Sequence, residues 1–183
     1  MISSKNLFYL LLATLLTITL TYCSDDDPVS PNEDFGGVEF SVSGDVNANI
    51  EGIAEFGSFG EGISWEISFT DIGQQTFSLI ISTVDTEGAE QPSPGYYEIG
   101  SNPNNEDEFF AVFTDLEGGI SEETEYSTMF GNEGGILEIT ESTSDEVSGN
   151  FSFTAVAVNN ETNEIEGEIV VTEGEFTATP YNP

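Results

Sequence analysis

The near absence of cationic side chains constrains this chain more than any other feature. Its 183 residues include 35 Asp and Glu, no His, and a single basic residue, Lys5. A domain built from the rest of the chain therefore forms no ion pairs between side chains, and carboxylates facing each other across neighbouring strands repel. The net charge of −34 also disfavours the compact state through self-repulsion.

Salt screening relieves this repulsion, because the Debye length falls from about 10 Å at 0.1 M salt to about 3 Å at 1 M. We therefore infer adaptation to a saline or hypersaline habitat, with ordinary salinity and bound divalent cations as the alternative. The apolar core must hold the fold alone, because one cysteine, Cys23, cannot form an internal disulfide.

The same composition excludes several function classes beyond the N-terminal segment. Nucleophilic triads need an imidazole or amine base, and common zinc sites need His or Cys. Nucleic acids and anionic lipids are bound through Lys and Arg, so no nucleic-acid partner is expected. Carboxylate chemistry remains, and a Glu/Asp pair able to hydrolyse a glycosidic bond stays as the alternative to a protein that is not an enzyme.

The N-terminus is typical of a secretory signal. Lys5 precedes an apolar stretch over 7–20, which is short for a membrane span of roughly 20 apolar residues. We predict a signal peptide over residues 1–22. Its removal takes away one Lys and no acid, which changes the net charge from −34 to −35.

Cys23 lies at the end of this stretch. The segment Leu20-Thr21-Tyr22-Cys23 resembles a bacterial lipobox, although Tyr22 stands where Gly, Ala or Ser is usual. The resemblance implies a lipid on Cys23, which would make the membrane a partner through the anchor, with residues 23–34 as an acidic tether. The alternative is an incidental or unpaired thiol.

The acidic segment after this cysteine bears on location. Ser24-Asp25-Asp26-Asp27 resembles the signal that sends Bacteroidota-type lipoproteins to the outer face of the outer membrane. The same residues would also serve as a solvated linker. We expect an outer-membrane lipoprotein displayed at the cell surface, with a periplasm-facing orientation as the alternative.

From residue 35 onward the sequence predicts an all-β domain. Segments rich in Ile, Val, Phe and Thr alternate with Gly, Asn, Asp and Pro clusters, without helical periodicity. The pattern predicts one antiparallel domain over 35–183, a β-sandwich or a partly closed barrel. The ten predicted strands are Val38–Ser43, Ala48–Phe56, Ile63–Thr70, Thr76–Val84, Gly95–Ile99, Phe109–Thr114, Glu125–Phe130, Gly135–Glu141, Val147–Val158 and Glu164–Thr179.

Four details of the sheet also follow from the pattern. The segment 131–135 is predicted to be a short hairpin loop, and 159–163 to close the last hairpin. A change of phase near Gly174 predicts a β-bulge. Thr76–Val84 and Phe109–Phe113 are apolar at successive positions, which predicts central strands covered on both faces.

Three segments of the C-terminal half carry a family resemblance. They are Gly135-Ile136-Leu137-Glu138-Ile139-Thr140, Val147-Ser148-Gly149-Asn150-Phe151-Ser152-Phe153-Thr154-Ala155, and Val171-Thr172-Glu173-Gly174-Glu175-Phe176 with Pro180. They resemble a family of uncharacterised Bacteroidota lipoproteins. The resemblance implies an all-β envelope lipoprotein and brings no catalytic residues.

Calcium is the one cofactor that the sequence suggests, because oxygen atoms of Asp, Glu and Asn are its ligands. The densest loop contains Asn102, Asn104, Glu106, Asp107 and Glu108. A second acidic loop contains Asp115, Glu117, Glu122 and Glu123. Neither has the spacing of an EF-hand, and a solvated acidic loop is the alternative.

Exposed aromatic rings offer a further means of binding, because amphipathic rings can stack on sugars. Tyr96 and Tyr97 adjoin a Pro-Gly turn, where one of two successive strand residues must point outward. Trp65, Tyr126 and Tyr181 are other aromatic candidates, although Trp65 alternates with Ile63 and Ile67, as a core residue would. We expect a non-enzymatic module that binds a neutral or cationic partner, a glycan or an envelope protein, with a purely structural role as a further alternative.

Overall fold

The computed structural model describes residues 35–60, 64–71, 76–84, 89–100, 108–116, 124–130, 134–159 and 161–181. The predicted signal peptide, Cys23 and the tether lie outside these residues. Within them there is no helix with the length and hydropathy needed to cross a membrane.

Ten strands make up the described part, which confirms the all-β prediction. Their bounds agree with the predicted segments to within a few residues, because alternating apolar side chains and turn-forming clusters define strand ends locally. The strands are β1 (Gly36–Gly44), β2 (Ala48–Phe59), β3 (Ser64–Thr70), β4 (Phe77–Val84), β5 (Gly95–Ile99), β6 (Glu108–Asp115), β7 (Thr124–Ser127), β8 (Gly135–Ser142), β9 (Val147–Val158) and β10 (Ile165–Pro180).

These strands form a single ten-stranded sheet in the order β1-β10-β2-β3-β4-β6-β5-β8-β9-β7, with further pairings β1–β2, β9–β10 and β6–β7. Each strand thus pairs with at least two others, and the pairings lead from β1 around the sheet and back to it. The pairings are antiparallel except for two short parallel ones, β2 with β10 and β5 with β6. The sheet folds over in a sandwich-like manner. Its strand edges pair with other strands of the same sheet, and this avoids the exposed edges that promote aggregation.

The interior is filled with aromatic rings from opposite parts of the sheet. Phe69 of β3 stacks on Phe151 of β9 with ring centroids 5.2 Å apart. Phe40 of β1 meets Phe77 of β4 edge-on at 5.5 Å. Because these strands are not neighbours in the sheet, the contacts join its two halves across the core. Aromatic pairs of this kind contribute about 0.5–1.5 kcal/mol beyond their buried area.

The predicted bulge near Gly174 is confirmed. The β9–β10 register shifts between Val171 and Gly174, and Glu173 adopts a positive φ of 55°. Buried positions consequently change from odd to even numbers along β10. Gly174 lies over Phe151, where an added Cβ would come within 2.6 Å of the ring, so a larger residue would displace that ring.

The last hairpin is also as predicted. The loop between β9 and β10 is fixed by Asn159, whose side-chain oxygen accepts N–H bonds from Glu161 at 2.8 Å and Thr162 at 3.1 Å. Asn163 has a positive φ of 57°, which asparagine tolerates better than most residues. These hydrogen bonds and this backbone conformation depend on neighbouring residues only, which explains why the sequence alone identified the turn.

The predicted hairpin at 131–135 is wrong. β7 ends at Ser127 and pairs with β6 and β9, whereas β8 pairs with β5 and β9. The reason lies at Thr128, whose hydroxyl accepts the N–H of Ala111 and donates to the carbonyl of Gly100, each at 3.0 Å. The N–H of Thr128 also donates to the carbonyl of Ala111 at 3.0 Å, so the segment stays bonded to β6 and does not pair with β8.

The expectation that two central strands are covered on both faces is wrong as well. In β6, buried residues alternate with half-buried ones, and Leu79 and Ile81 of β4 point into the core. The outward Ile80 lies directly opposite Val112, and both side chains are half-buried. These outward apolar residues therefore shield each other across strands, and no second layer is needed.

We expect Phe151→Ala to lower the free energy of unfolding by about 3–5 kcal/mol, the usual cost of deleting a buried aromatic ring. The ring of Phe151 contacts Phe40, Phe69, Phe153 and Phe176. Urea unfolding at fixed NaCl measures the loss, because guanidinium would itself change the screening. Ile165→Ala is the control, since Ile165 is 58% exposed and should change stability by less than about 0.5 kcal/mol. A loss below about 1 kcal/mol for Phe151→Ala would contradict this account of the core.

Candidate functional site

Tyr96 and Tyr97 of β5 point to opposite faces of the sheet, as successive strand residues do. Tyr97 packs inward, with its ring edge-on to Phe109 at 5.3 Å and its hydroxyl donating to the carbonyl of Ser93 at 2.6 Å. Tyr96 is 76% exposed. Of the predicted pair, Tyr96 is therefore the ring that a ligand can reach.

Tyr96 begins a continuous row of outward side chains that crosses six neighbouring strands. Each member lies directly opposite the next in the strand register. We call this set the cross-strand row. From β5 through β8, β9, β10 and β1 to β2, its members are Tyr96, Glu138, Asn150, Glu175, Glu39 and Glu51.

All six members line one groove on the outer face of the sheet, with a volume of about 670 Å³. Phe40, Phe151 and Gly174 also line it, and Gly174 lies directly over the ring of Phe151. The exposed Ile136 adds an apolar side chain next to Tyr96. The remaining lining residues are Ser41, Asn49, Ile50, Ser152 and Glu173. The groove thus combines an aromatic ring, an aliphatic side chain, amides, hydroxyls and carboxylates.

The first half of the row is fixed by hydrogen bonds. Tyr96 donates to Glu138, and this bond, with the negative charge of that carboxylate, raises the pKa of the Tyr96 hydroxyl. Asn150 donates from its side-chain amide to the same carboxylate at 3.5 Å. The Tyr96 ring is therefore held in place by its hydroxyl while its faces stay open to solvent.

The second half of the row consists of carboxylates alone. Glu39 lies directly opposite both Glu175 and Glu51, and these three side chains make no hydrogen bond with another described residue. Like charges directly opposite each other in a sheet are destabilising. The predicted repulsion between strands is therefore concentrated in this row.

Several other carboxylates in the described strands face small neutral residues. Glu55 lies opposite Ser68, Glu66 opposite Ser82, and Glu141 opposite Ser148. Within the described pairings, the one carboxylate pair in register outside the row is Glu98 with Glu108. The run of three glutamates is thus a local exception, and such exceptions to folding preference concentrate at functional sites.

The predicted calcium site falls mostly outside the described residues. Asn102, Asn104, Glu106 and Asp107 are not among them, and Glu108 begins β6 opposite Glu98. In the second acidic loop only Asp115 is described, at the end of β6. Across the described ranges, no group of three or more Asp, Glu, His or Cys residues is arranged to hold a metal ion. Calcium binding therefore stays a prediction.

The other aromatic candidates do not join the groove. Trp65 is 1% exposed and belongs to the core, as its alternation indicated. Tyr126 is also buried, and this burial, followed by the charges of Asp45 and Asp115, raises the pKa of its hydroxyl. Tyr181 is 48% exposed and contacts Phe59, away from the residues that line the groove.

A glycosidase of the usual kind needs a carboxyl group with a raised pKa beside a second carboxylate. Burial raises the pKa of Glu66, which is half-buried on β3. Its cross-strand partners are Gly57 and Ser82, so no second carboxylate lies directly opposite it. A raised pKa by itself does not identify a catalytic pair, so the hydrolase stays the alternative.

Sequence reasoning identified Tyr96 but missed the rest of the row. Outward polar positions are visible in the alternation of each strand, but the alignment of Glu39, Glu175 and Glu51 depends on strand order and register. The phase change at Gly174 was the one local signal that pointed to the groove.

Comparisons of the chain with protein-family models, curated proteins and solved structures find no match.

We expect the melting temperature of the protein to rise as NaCl increases from about 0.1 to 1 M, because screening weakens the repulsion between carboxylates. At low salt, Glu39→Gln should raise the free energy of unfolding by about 0.5 kcal/mol, since it removes two like-charge contacts on an exposed surface. This gain should shrink at 1 M NaCl.

Glu141→Gln is the matched control, because it removes the same charge opposite Ser148 and should stabilise less. Thermal unfolding followed by circular dichroism measures each change. A melting temperature that stays flat across this salt range would contradict both the repulsion and the inferred salt adaptation.

Proposed function

We propose that this protein is a cell-envelope lipoprotein, anchored through Cys23, whose β domain is a non-enzymatic binding module adapted to high salt. Its ligand is a neutral or cationic glycan, bound in the groove at the cross-strand row. The lipobox-like segment and the acidic tether support display at the cell surface, as does the resemblance to Bacteroidota lipoproteins.

The exposed ring of Tyr96 carries this proposal. An aromatic side chain that is 76% exposed, held by Glu138 and set in a groove, offers a flat apolar face with a polar edge. Sugars present a similar combination, because their C–H faces are apolar and their hydroxyls need partners. Asn150, Ser41 and Ser152 supply such partners in the same groove.

A glycan fits this surface better than an envelope protein. Specific protein interfaces are generally depleted of charged residues at their centre, whereas three aligned glutamates make up half of this row. Because the strand pairings lead from β1 around the sheet and back to it, little free edge is left to which a partner could add a strand. Binding through side chains in the groove is therefore the favoured mode.

We expect Tyr96→Ala to reduce glycan affinity by about tenfold, since loss of a stacking ring removes on the order of 1 kcal/mol or more. Screening on a polysaccharide array that includes neutral and amino-bearing glycans would identify ligands, and titration calorimetry would give the dissociation constants. Tyr181→Ala is the control, because that tyrosine is also exposed but lies outside the groove. Absence of binding to every glycan on the array would contradict the proposal.

We expect the full chain, expressed in a bacterium with a lipoprotein pathway, to incorporate labelled fatty acid, and Cys23→Ala to abolish the label. Stable anchoring follows because each buried methylene of an acyl chain contributes about 0.8 kcal/mol. Membrane fractionation of both forms provides a second measurement. An unlabelled, freely diffusing wild-type protein would show that the anchor is absent.

A further inference from the structure

The three aligned glutamates of the groove indicate the charge of its ligand. Glu175, Glu39 and Glu51 lie on consecutive strands, and neighbouring strands are about 4.8 Å apart. Their carboxylates therefore form a short line of negative charge that runs across the strands and starts beside Asn150, three strands from Tyr96. The domain itself contains no Lys, Arg or His to neutralise this line, so the compensating charge has to come from outside.

We propose that the groove binds a linear polysaccharide with free amino groups, which lies across the strands along the cross-strand row. One sugar ring stacks on Tyr96, and protonated amino groups of the following sugars pair with Glu175, Glu39 and Glu51. This inference rests on the proposed glycan-binding function and specifies the chemical class of the glycan.

Charge complementarity favours an amino sugar over other glycans. A neutral glycan bound in the groove would leave the three carboxylates facing each other in a partly desolvated site, where their repulsion is stronger. An acidic glycan would add further repulsion. Ammonium groups instead form charge-assisted hydrogen bonds, which are roughly twice as strong as neutral ones.

The spacing of the row favours an amino sugar over a basic peptide. In an extended peptide, side chains on one face recur at about 6.6–6.8 Å, twice the rise per residue. The row repeats at about 4.8 Å, which does not match this peptide spacing. Lysine side chains would also lose rotamer entropy on binding, a loss that an amino group fixed to a sugar ring avoids.

The matched probes are an oligosaccharide of glucosamine and the same oligosaccharide after N-acetylation. Calorimetry is run at a mildly acidic pH, at which sugar amines are protonated, and NaCl is set at the lowest concentration at which every variant is folded. We expect the amino form to bind at least tenfold more tightly than the acetylated form, with an affinity that falls as NaCl rises.

Variants separate specific binding from general attraction to a polyanion. Glu39→Gln and Glu175→Gln should each weaken binding of the amino form severalfold and leave the acetylated form nearly unchanged. Glu141→Gln removes the same charge outside the groove and should leave both affinities unchanged. Since Glu39→Gln is expected to stabilise the fold, its loss of affinity would not reflect unfolding.

Each remaining outcome overturns the inference in a distinguishable way. Equal affinity for the two oligosaccharides would reject the amino-sugar ligand but leave glycan binding in place. Equal weakening by Glu141→Gln and Glu39→Gln would reveal nonspecific attraction. Tighter binding of oligolysine than of the glucosamine oligomer would point to a basic peptide instead. If these probes and every glycan on the array fail to bind, the proposed function fails as well.

Discussion

Burial of aromatic rings between the two halves of one folded-over sheet holds this structure together. Ion pairs and disulfides contribute nothing within the β domain, because residues 24–183 contain no Lys, Arg, His or Cys. Phe151 contacts four other rings, among them Phe40 and Phe69, and so links strands that are not neighbours. Apolar burial at roughly 25 cal/mol per Å² must therefore offset both chain entropy and the repulsion of the charged surface.

The groove lies directly over the same core. The bulge at Glu173 and Gly174 lets the Phe151 ring pack beneath a residue without a side chain, and both residues of the bulge line the groove. One local irregularity of β10 thereby contributes both to the core and to the surface of the groove. Bulges commonly occur next to functional sites for this reason, because they redirect side chains and interrupt the regular surface of a sheet.

The cross-strand row is where stability and binding oppose each other. Glu39 between Glu175 and Glu51 destabilises the folded protein, whereas the same alignment would attract a cationic ligand. Screening by salt lowers the first effect and also weakens the second. If the proposed ligand binds in high salt, its contacts with the row therefore have to be short and well ordered.

The sequence by itself determined the strands, the last hairpin and the bulge, because alternation, turn residues and glycine act over a few neighbouring positions. It also determined that one of Tyr96 and Tyr97 points outward. Tertiary structure alone decided which strands pair, and thus removed the expected 131–135 hairpin and placed Glu39, Glu175 and Glu51 in one row. Strand order and register depend on contacts between segments distant in the chain, such as Phe69 with Phe151, and no local pattern encodes them.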